Sequence, residues 1–429
     1  MSNSLHPAER SSCIPAWTVG AWGVVAWLWL AGGSNYLTRT MLTTMRGSVI
    51  EDIAMTDAQF GLLTTGFLIV YAVASPFGGF LADRFSRRLV ILLSVFAWSI
   101  LTVATAYAKT FEQFLVLRCL LGFSQAFYIP AAVALIVDYH RGPTRARATG
   151  LHLTGMIAGA VLGGVGGWLA ETHGWRYAYL VIGLPNLGLG LFLYFFLRDV
   201  SRQPGATAHA PVAGAVPAIR LVDAIRSLLK PGAYYYIAAA IGVQGAVSWI
   251  IIAWMPTIMR EEFQMTQATA GFATLGCLYT AQAMGLITGG IWSDRASVGN
   301  PRARIIIPAL AVIITTPLFL LTGWTQHIGF TFASLAVWGL AMGFLGCNTM
   351  PMVCLVVDAR YRATAVGVLN GFTSIFGGAA IYGLGALRDA KFEGSMVLTF
   401  AAIGVALCGG LLWMANLAVK KHGAVSPTA

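Results

Sequence analysis

Arg39 and Arg118 each lie inside a run of sequence otherwise apolar enough to cross a bilayer. A charge at that depth costs at least ~2.5–3.5 kcal/mol on insertion scales, so each one needs a reason. If the first run extends to Met45, Arg39 lies six residues before its end; if the fourth starts at Phe111, Arg118 lies seven residues in from the same side. At 1.5 Å per helical residue, both guanidiniums are then roughly 10 Å below one face of the membrane. Two guanidiniums at matched depth can hold one carboxylate through forked, charge-assisted hydrogen bonds. The alternative is that each arginine snorkels to the interface or binds the carbonyls of a helix C-terminus.

Helical spacing picks out companions. Asn35 and Tyr36 stand one turn before Arg39 on its side of a helix, Gln125 stands two turns along the face of Arg118, and Tyr128 follows it. Later in the chain, Gln244 with Ser248, Tyr279 with Gln282, Asn348 with Thr349, and Asn370 are polar groups in apolar runs. Each either lines a central cavity or hydrogen-bonds a neighbouring helix. His152 is a possible proton site, since a histidine can titrate near neutral pH. Its other reading is a satisfied histidine between helices near the cytoplasmic end. There is no nucleophile–base set, phosphate loop or metal-ligand spacing, so no enzyme, cofactor or metal is expected.

The elements that must position these groups are membrane helices. Apolar residues make up 57% of the chain, charged residues 10%, and mean hydropathy is +0.74. A soluble domain carries about 25% charged residues, so the solvent here is lipid. Long runs rich in Leu, Ala and Gly satisfy their own backbone as helices, not as barrel strands of alternating polarity. About twelve such runs centre near residues 28, 70, 98, 125, 158, 185, 246, 280, 313, 343, 374 and 406. Six precede the 201–218 stretch and six follow it. Glycines repeat every fourth residue at Gly155, Gly159, Gly163 and Gly167, and again at Gly367 and Gly371, giving faces smooth enough for close helix contact, sliding or static.

Two short signatures recur. Gly79-Phe80-Leu81-Ala82-Asp83-Arg84-Phe85-Ser86-Arg87-Arg88 has a copy 211 residues on that begins Gly290-Ile291-Trp292-Ser293-Asp294-Arg295. Val137-Asp138 followed by Arg145-Ala146-Arg147-Ala148-Thr149-Gly150 recurs as Val357-Asp358 followed by Arg362-Ala363-Thr364-Ala365-Val366-Gly367. The chain is therefore two homologous halves, an organisation typical of carriers. The expected boundaries are a six-helix bundle over 1–196, a cytoplasmic linker with a short amphipathic helix over 197–232, and a second bundle over 233–429. In the signatures, a carboxylate can accept from a facing helix N-terminus while Arg84, Arg87 and Arg88 pair with Asp138; fixing topology alone is the other role.

With both termini placed in the cytoplasm, 19 of the 27 Lys and Arg fall on the cytoplasmic side, while acidic residues split 7 inside and 9 outside. That is the positive-inside bias. The net charge of +11 is a topology signal, and no nucleic-acid partner is expected. Residues 1–15 are polar and no cleavable signal is apparent. The protein is expected in a plasma membrane, the bacterial inner membrane, as a monomer among lipids.

These features resemble the major facilitator superfamily, with Ser86 in place of a usual glycine and the second signature lacking its Arg-Arg end. Within it, Asn35-Tyr36-Leu37-Thr38-Arg39, Arg118-Cys119-Leu120-Leu121-Gly122, Asp57-Ala58-Gln59-Phe60-Gly61 and Asn370 resemble motifs of the anion:cation symporter family, which moves organic anions such as sugar acids. Spinster-like lipid carriers share several of them. The resemblance implies an all-α fold of twelve membrane helices in two bundles, and alternating-access transport of a small organic anion. Arg39 and Arg118 would hold its carboxylate, with Asn35, Tyr36, Gln125, Tyr128, Gln244, Gln282, Asn348 and Asn370 around it. It implies a cytoplasmic latch of Asp83, Arg84, Arg87, Arg88 and Asp138, with Asp294, Arg295, Asp358 and Arg362 as the weaker copy. Thr38 and Gln125 stand where similar symporters carry acids. Facilitated diffusion or exchange is therefore favoured over tight proton symport, although a proton could ride on the substrate or on His152. The rivals are a lysolipid carrier, a drug exporter, disfavoured by the lack of a membrane-embedded acid, and a non-transporting ligand sensor.

Overall fold

The computed structural model describes residues 20–140, 144–199, 232–325, 327–358, 361–391 and 394–422. Of the linker expected over 197–232, residues 200–231, with the short helix expected at 221–229, lie outside them. All described elements are helical. The first half contains α1 (Ala21–Thr44), the short α2 (Arg46–Asp52), α3 (Asp57–Arg84), α4 (Arg87–Thr105), α5 (Phe111–Ala126), α6 (Tyr128–Tyr139), α7 (Arg145–Leu162), α8 (Gly164–His173) and α9 (Trp175–Phe196). The second contains α10 (Gly232–Glu262), α11 (Gln267–Gly299), α12 (Ala303–Thr325), α13 (Ile328–Val356), α14 (Arg362–Asp389) and α15 (Gly394–His422).

Eleven segments are long and apolar enough to cross a membrane, counting α5 with α6 and α7 with α8 as one crossing each. The twelfth crossing is α1. It has the length, but Ser34, Asn35, Thr38 and Arg39 dilute its hydropathy. The break between α5 and α6 has a local cause, because Pro130 has no N–H to donate to the Ala126 carbonyl and its ring crowds that oxygen. Large apolar side chains such as Val73, Phe77, Leu93, Ile287 and Trp324 point outward, the pattern of a surface solvated by lipid.

The two six-span bundles meet at one end and part at the other. Near the end carrying residues 46–57, a Cβ on Gly61 would press on the Ile381 carbonyl and one on Gly385 on the Asp57 backbone, so α3 and α14 touch backbone to backbone. Thr65 Oγ1 donates to the Gly378 carbonyl across the same seam at 2.6 Å. The second seam runs between α8 and α11, where Gly164 meets Phe272 and Gly167 meets Gln267. At the opposite, basic end, Gly367 and Gly371 of α14 face open space. There a cavity of about 610 Å3 is bounded by both halves, including Tyr71, Ser75, Arg87 and Arg145 from the first and Asn370 from the second. Gly155 and Gly159 serve a different contact: they admit Trp29 and Gly33 of α1, inside one half.

Candidate functional site

The site is built on one turn of α1. Thr38 Oγ1 donates to the Asn35 carbonyl at 2.9 Å and accepts from Gln125 Nε2 at 2.9 Å. Gln125 Oε1 in turn accepts from Arg39 Nε at 2.9 Å. Arg118 donates through Nη1 to the Thr38 carbonyl at 3.5 Å and through Nε to the Leu63 carbonyl at 3.4 Å. One neutral framework thus holds both guanidiniums, from α1 and α5, against the wall formed by α3.

Both cations are buried, Arg39 5% exposed and Arg118 1%. Among the described residues neither pairs with a carboxylate, and the Nη2 of each is buried with no partner. Around them stand aromatic faces. Arg39 Cζ lies 4.8 Å from the Tyr36 ring centroid, 5.2 Å from Phe67 and 4.2 Å from Tyr71. Arg118 Cζ lies 4.9 Å from Phe67, and Phe67 and Tyr71 are stacked with centroids 6.1 Å apart. Each such contact is worth about 2 kcal/mol when desolvated. Tyr279 of the second half is within electrostatic reach of Arg39 and Tyr36. The arrangement can bind an anion: each guanidinium has a donor without a partner, and no acid among the described residues competes for it.

Other predicted residues are scattered. Asn370 lines the cavity together with Tyr71, and the Oε1 of Gln282 is buried without a partner. Asn35 is fully buried, with neither side-chain polar atom bonded. Tyr128 is spent on a 2.6 Å bond to the Leu28 carbonyl, Gln244 bonds Ser248 in its own helix at 2.8 Å, and Asn348 ties α13 to α11 through Ser293 at 2.8 Å. His152 is buried against α1 near Gly32, its ring centroid 6.0 Å from that of Tyr128.

At the basic end, Arg87 pairs with Asp138 and donates to the Ala134 carbonyl at 3.0 Å. Arg88 reaches the Tyr194 carbonyl, and its backbone N–H bonds Asp199 at 3.0 Å. Asp294 pairs with Arg304 at 2.7 Å, and Arg362 binds the carbonyls of Val357 and Cys354. Each of these contacts stays within one half. Arg84, Arg295 and Asp358 are exposed, and the side chain of Asp83 lies outside the described set.

Sequence reasoning missed the opposite end. There Arg46 pairs with Asp57 and, across the seam, with Glu261 at 3.2 Å; Arg388 returns across it to Asp57 at 3.0 Å and pairs with Glu261 at 2.7 Å. Asp389 caps α3 from the other half, accepting the N–H groups of Asp57 and Ala58 at 2.8 and 2.9 Å. Trp254 lies beneath, 5.9 Å from Arg46 and 5.3 Å from Arg388. A repeat signals this region: Met45-Arg46 and Met55-Thr56-Asp57-Ala58 recur as Met259-Arg260 and Met265-Thr266-Gln267-Ala268.

The Major Facilitator Superfamily profile matches residues 28–382. The hexuronate transporter of Bacillus subtilis (strain 168) is 24% identical over 408 residues, covering 93% of each chain. Protein spinster homolog 1 of Xenopus tropicalis is 25% identical over 307 residues, covering 67% of this chain and 57% of that protein. Among solved structures, a bacterial homologue of the human lysosomal transporter spinster, described as inward-facing and unoccupied, superposes with a TM-score of 0.78 at 22% identity, covering 95% of this chain and 99% of that one.

Proposed function

Because the chain belongs to the Major Facilitator Superfamily, and is a multi-pass membrane transporter rather than an enzyme, we propose that it carries a small organic anion by rocking of the halves 1–196 and 233–429. The observation that carries this reading is the buried pair Arg39 and Arg118, with two free Nη2 donors and no carboxylate partner among the described residues. A carboxylate or sugar acid entering from the cavity would complete both guanidiniums, while Tyr279 and Gln282 could meet its far end from the second half. The similarity to a hexuronate transporter supports that class of substrate. Proton coupling is not required, since Thr38 and Gln125 are neutral. The basic end faces the cytoplasm of a bacterial inner membrane, with both termini inside. There Arg87–Asp138 and its neighbours form the latch that docks the halves in the outward-facing state. The ring of Arg46, Asp57, Glu261, Arg388 and Asp389 is the outer gate.

A lysolipid substrate is the second reading, favoured by the likeness to spinster homolog 1. Ligand-induced thermal stabilisation separates the two. A sugar acid or dicarboxylate should stabilise the wild type, and Arg39→Ala should weaken its binding by roughly tenfold to a hundredfold, the loss of a charge-assisted hydrogen bond. Stabilisation by lysolipid alone, or by an anion equally in both proteins, rejects the anion site.

A further inference from the structure

Resting on the anion reading above, we propose that Tyr36, Phe67 and Tyr71 supply the counter-charge of the unloaded site, so that the empty carrier reorients without a bound anion, a proton or a carboxylate. Every transport cycle without exchange includes a step in which the site crosses empty. Two buried guanidiniums left uncompensated would oppose that step, because both are already out of water here and stay so when both ends close. Among the described residues the polar contacts of Arg39 and Arg118 are all to neutral groups: Gln125 and the carbonyls of Thr38 and Leu63. What remains is the negative face of the rings, three of them within 5.2 Å of Arg39 Cζ and one, Phe67, shared with Arg118.

Tyr71 has a second property. It covers Arg39 at 4.2 Å and also lines the cavity at the basic end, so one residue joins the cavity to the guanidinium. An anion arriving through the cavity takes the place of that ring face, and the ring returns when the anion leaves. The exchange is one neutralising partner for another, with Phe67, stacked on Tyr71, as the fixed part of the cage.

The test uses the full-length chain and two readouts. In ligand-free protein, a double-mutant cycle combines Tyr71→Leu with Arg39→Met. Tyr71→Leu should lower Tm by about 2 °C more in the wild-type background than once Arg39 is gone. Equal drops in both backgrounds would make Tyr71 ordinary packing and overturn the proposal. In proteoliposomes with D-glucuronate as probe, Tyr71→Leu should slow efflux into anion-free buffer about tenfold more than it slows exchange against glucuronate. Tyr71→Phe, which keeps the ring face, should match the wild type in both. Equal slowing of efflux and exchange by Tyr71→Leu also overturns the proposal. If no anion binds at all, the substrate reading fails, and the ligand-free cycle still decides whether the ring serves the charge.

Discussion

Gln125 is the residue on which the character of the site turns. Its amide accepts from Arg39 Nε and donates to Thr38 Oγ1, so it orients the guanidinium without neutralising it. A carboxylate there would be a built-in competitor for the substrate. Gln125→Glu should therefore weaken anion binding at neutral pH by roughly tenfold or more, read as anion affinity in the two proteins; unchanged affinity would show that position 125 does not sense Arg39. Arg39 and Arg118 were legible in the sequence because a charge inside an apolar run is conspicuous. Phe67 and Tyr71 were not, because an aromatic in such a run is the ordinary filling of a membrane helix, and nothing in their spacing ties them to α1.

The helices were legible as apolar runs, and the α5–α6 break follows from Pro130. The seam between α3 and α14 was not. Asp389 caps a helix 331 residues away from it in sequence, and such a pairing leaves no local trace. Yet at that seam the two halves touch. Its ion pairs are mostly shielded, with the Arg388 and Asp57 side chains 11% and 13% exposed, so they are worth more than surface pairs. Arg388→Gln removes the bonds to Asp57 and Glu261 together and leaves both acids with one arginine, Arg46. At roughly 1.5–3 kcal/mol for a charge-assisted bond, the population with the far end open should rise tenfold or more. Spin labels at the exposed Lys109 and Gln264, one in each half, should then report a longer-distance population in pulsed dipolar spectra. An unchanged distance distribution would deny Arg388 a part in holding the halves together.

Across the whole molecule, the repeat of signatures points to two halves but carries no trace of their angle, because in the proposed rocking cycle one sequence must support both the state that opens inward and the state that opens outward. The small residues are divided between those states. Gly61, Gly378 and Gly385 are engaged at the far end, while Gly367 and Gly371 stand in open space at the basic end, available for contact when the bundles rock. The cavity beside Asn370 should then be reachable from one side of the membrane only. In a background with the native cysteines replaced, Ser75→Cys, which lines that cavity, should react with a membrane-impermeant thiol reagent in inside-out vesicles and stay unmodified in right-side-out ones. Adding Arg388→Gln should slow the inside-out reaction, because loosening the far end transfers population to the state in which the basic end is shut. Labelling of Ser75→Cys from the outer side would reverse the assignment of the basic end to the cytoplasm. Labelling at equal rates with and without Arg388→Gln would separate the two ends of the molecule, and the bundles would no longer be moving as one rocking pair.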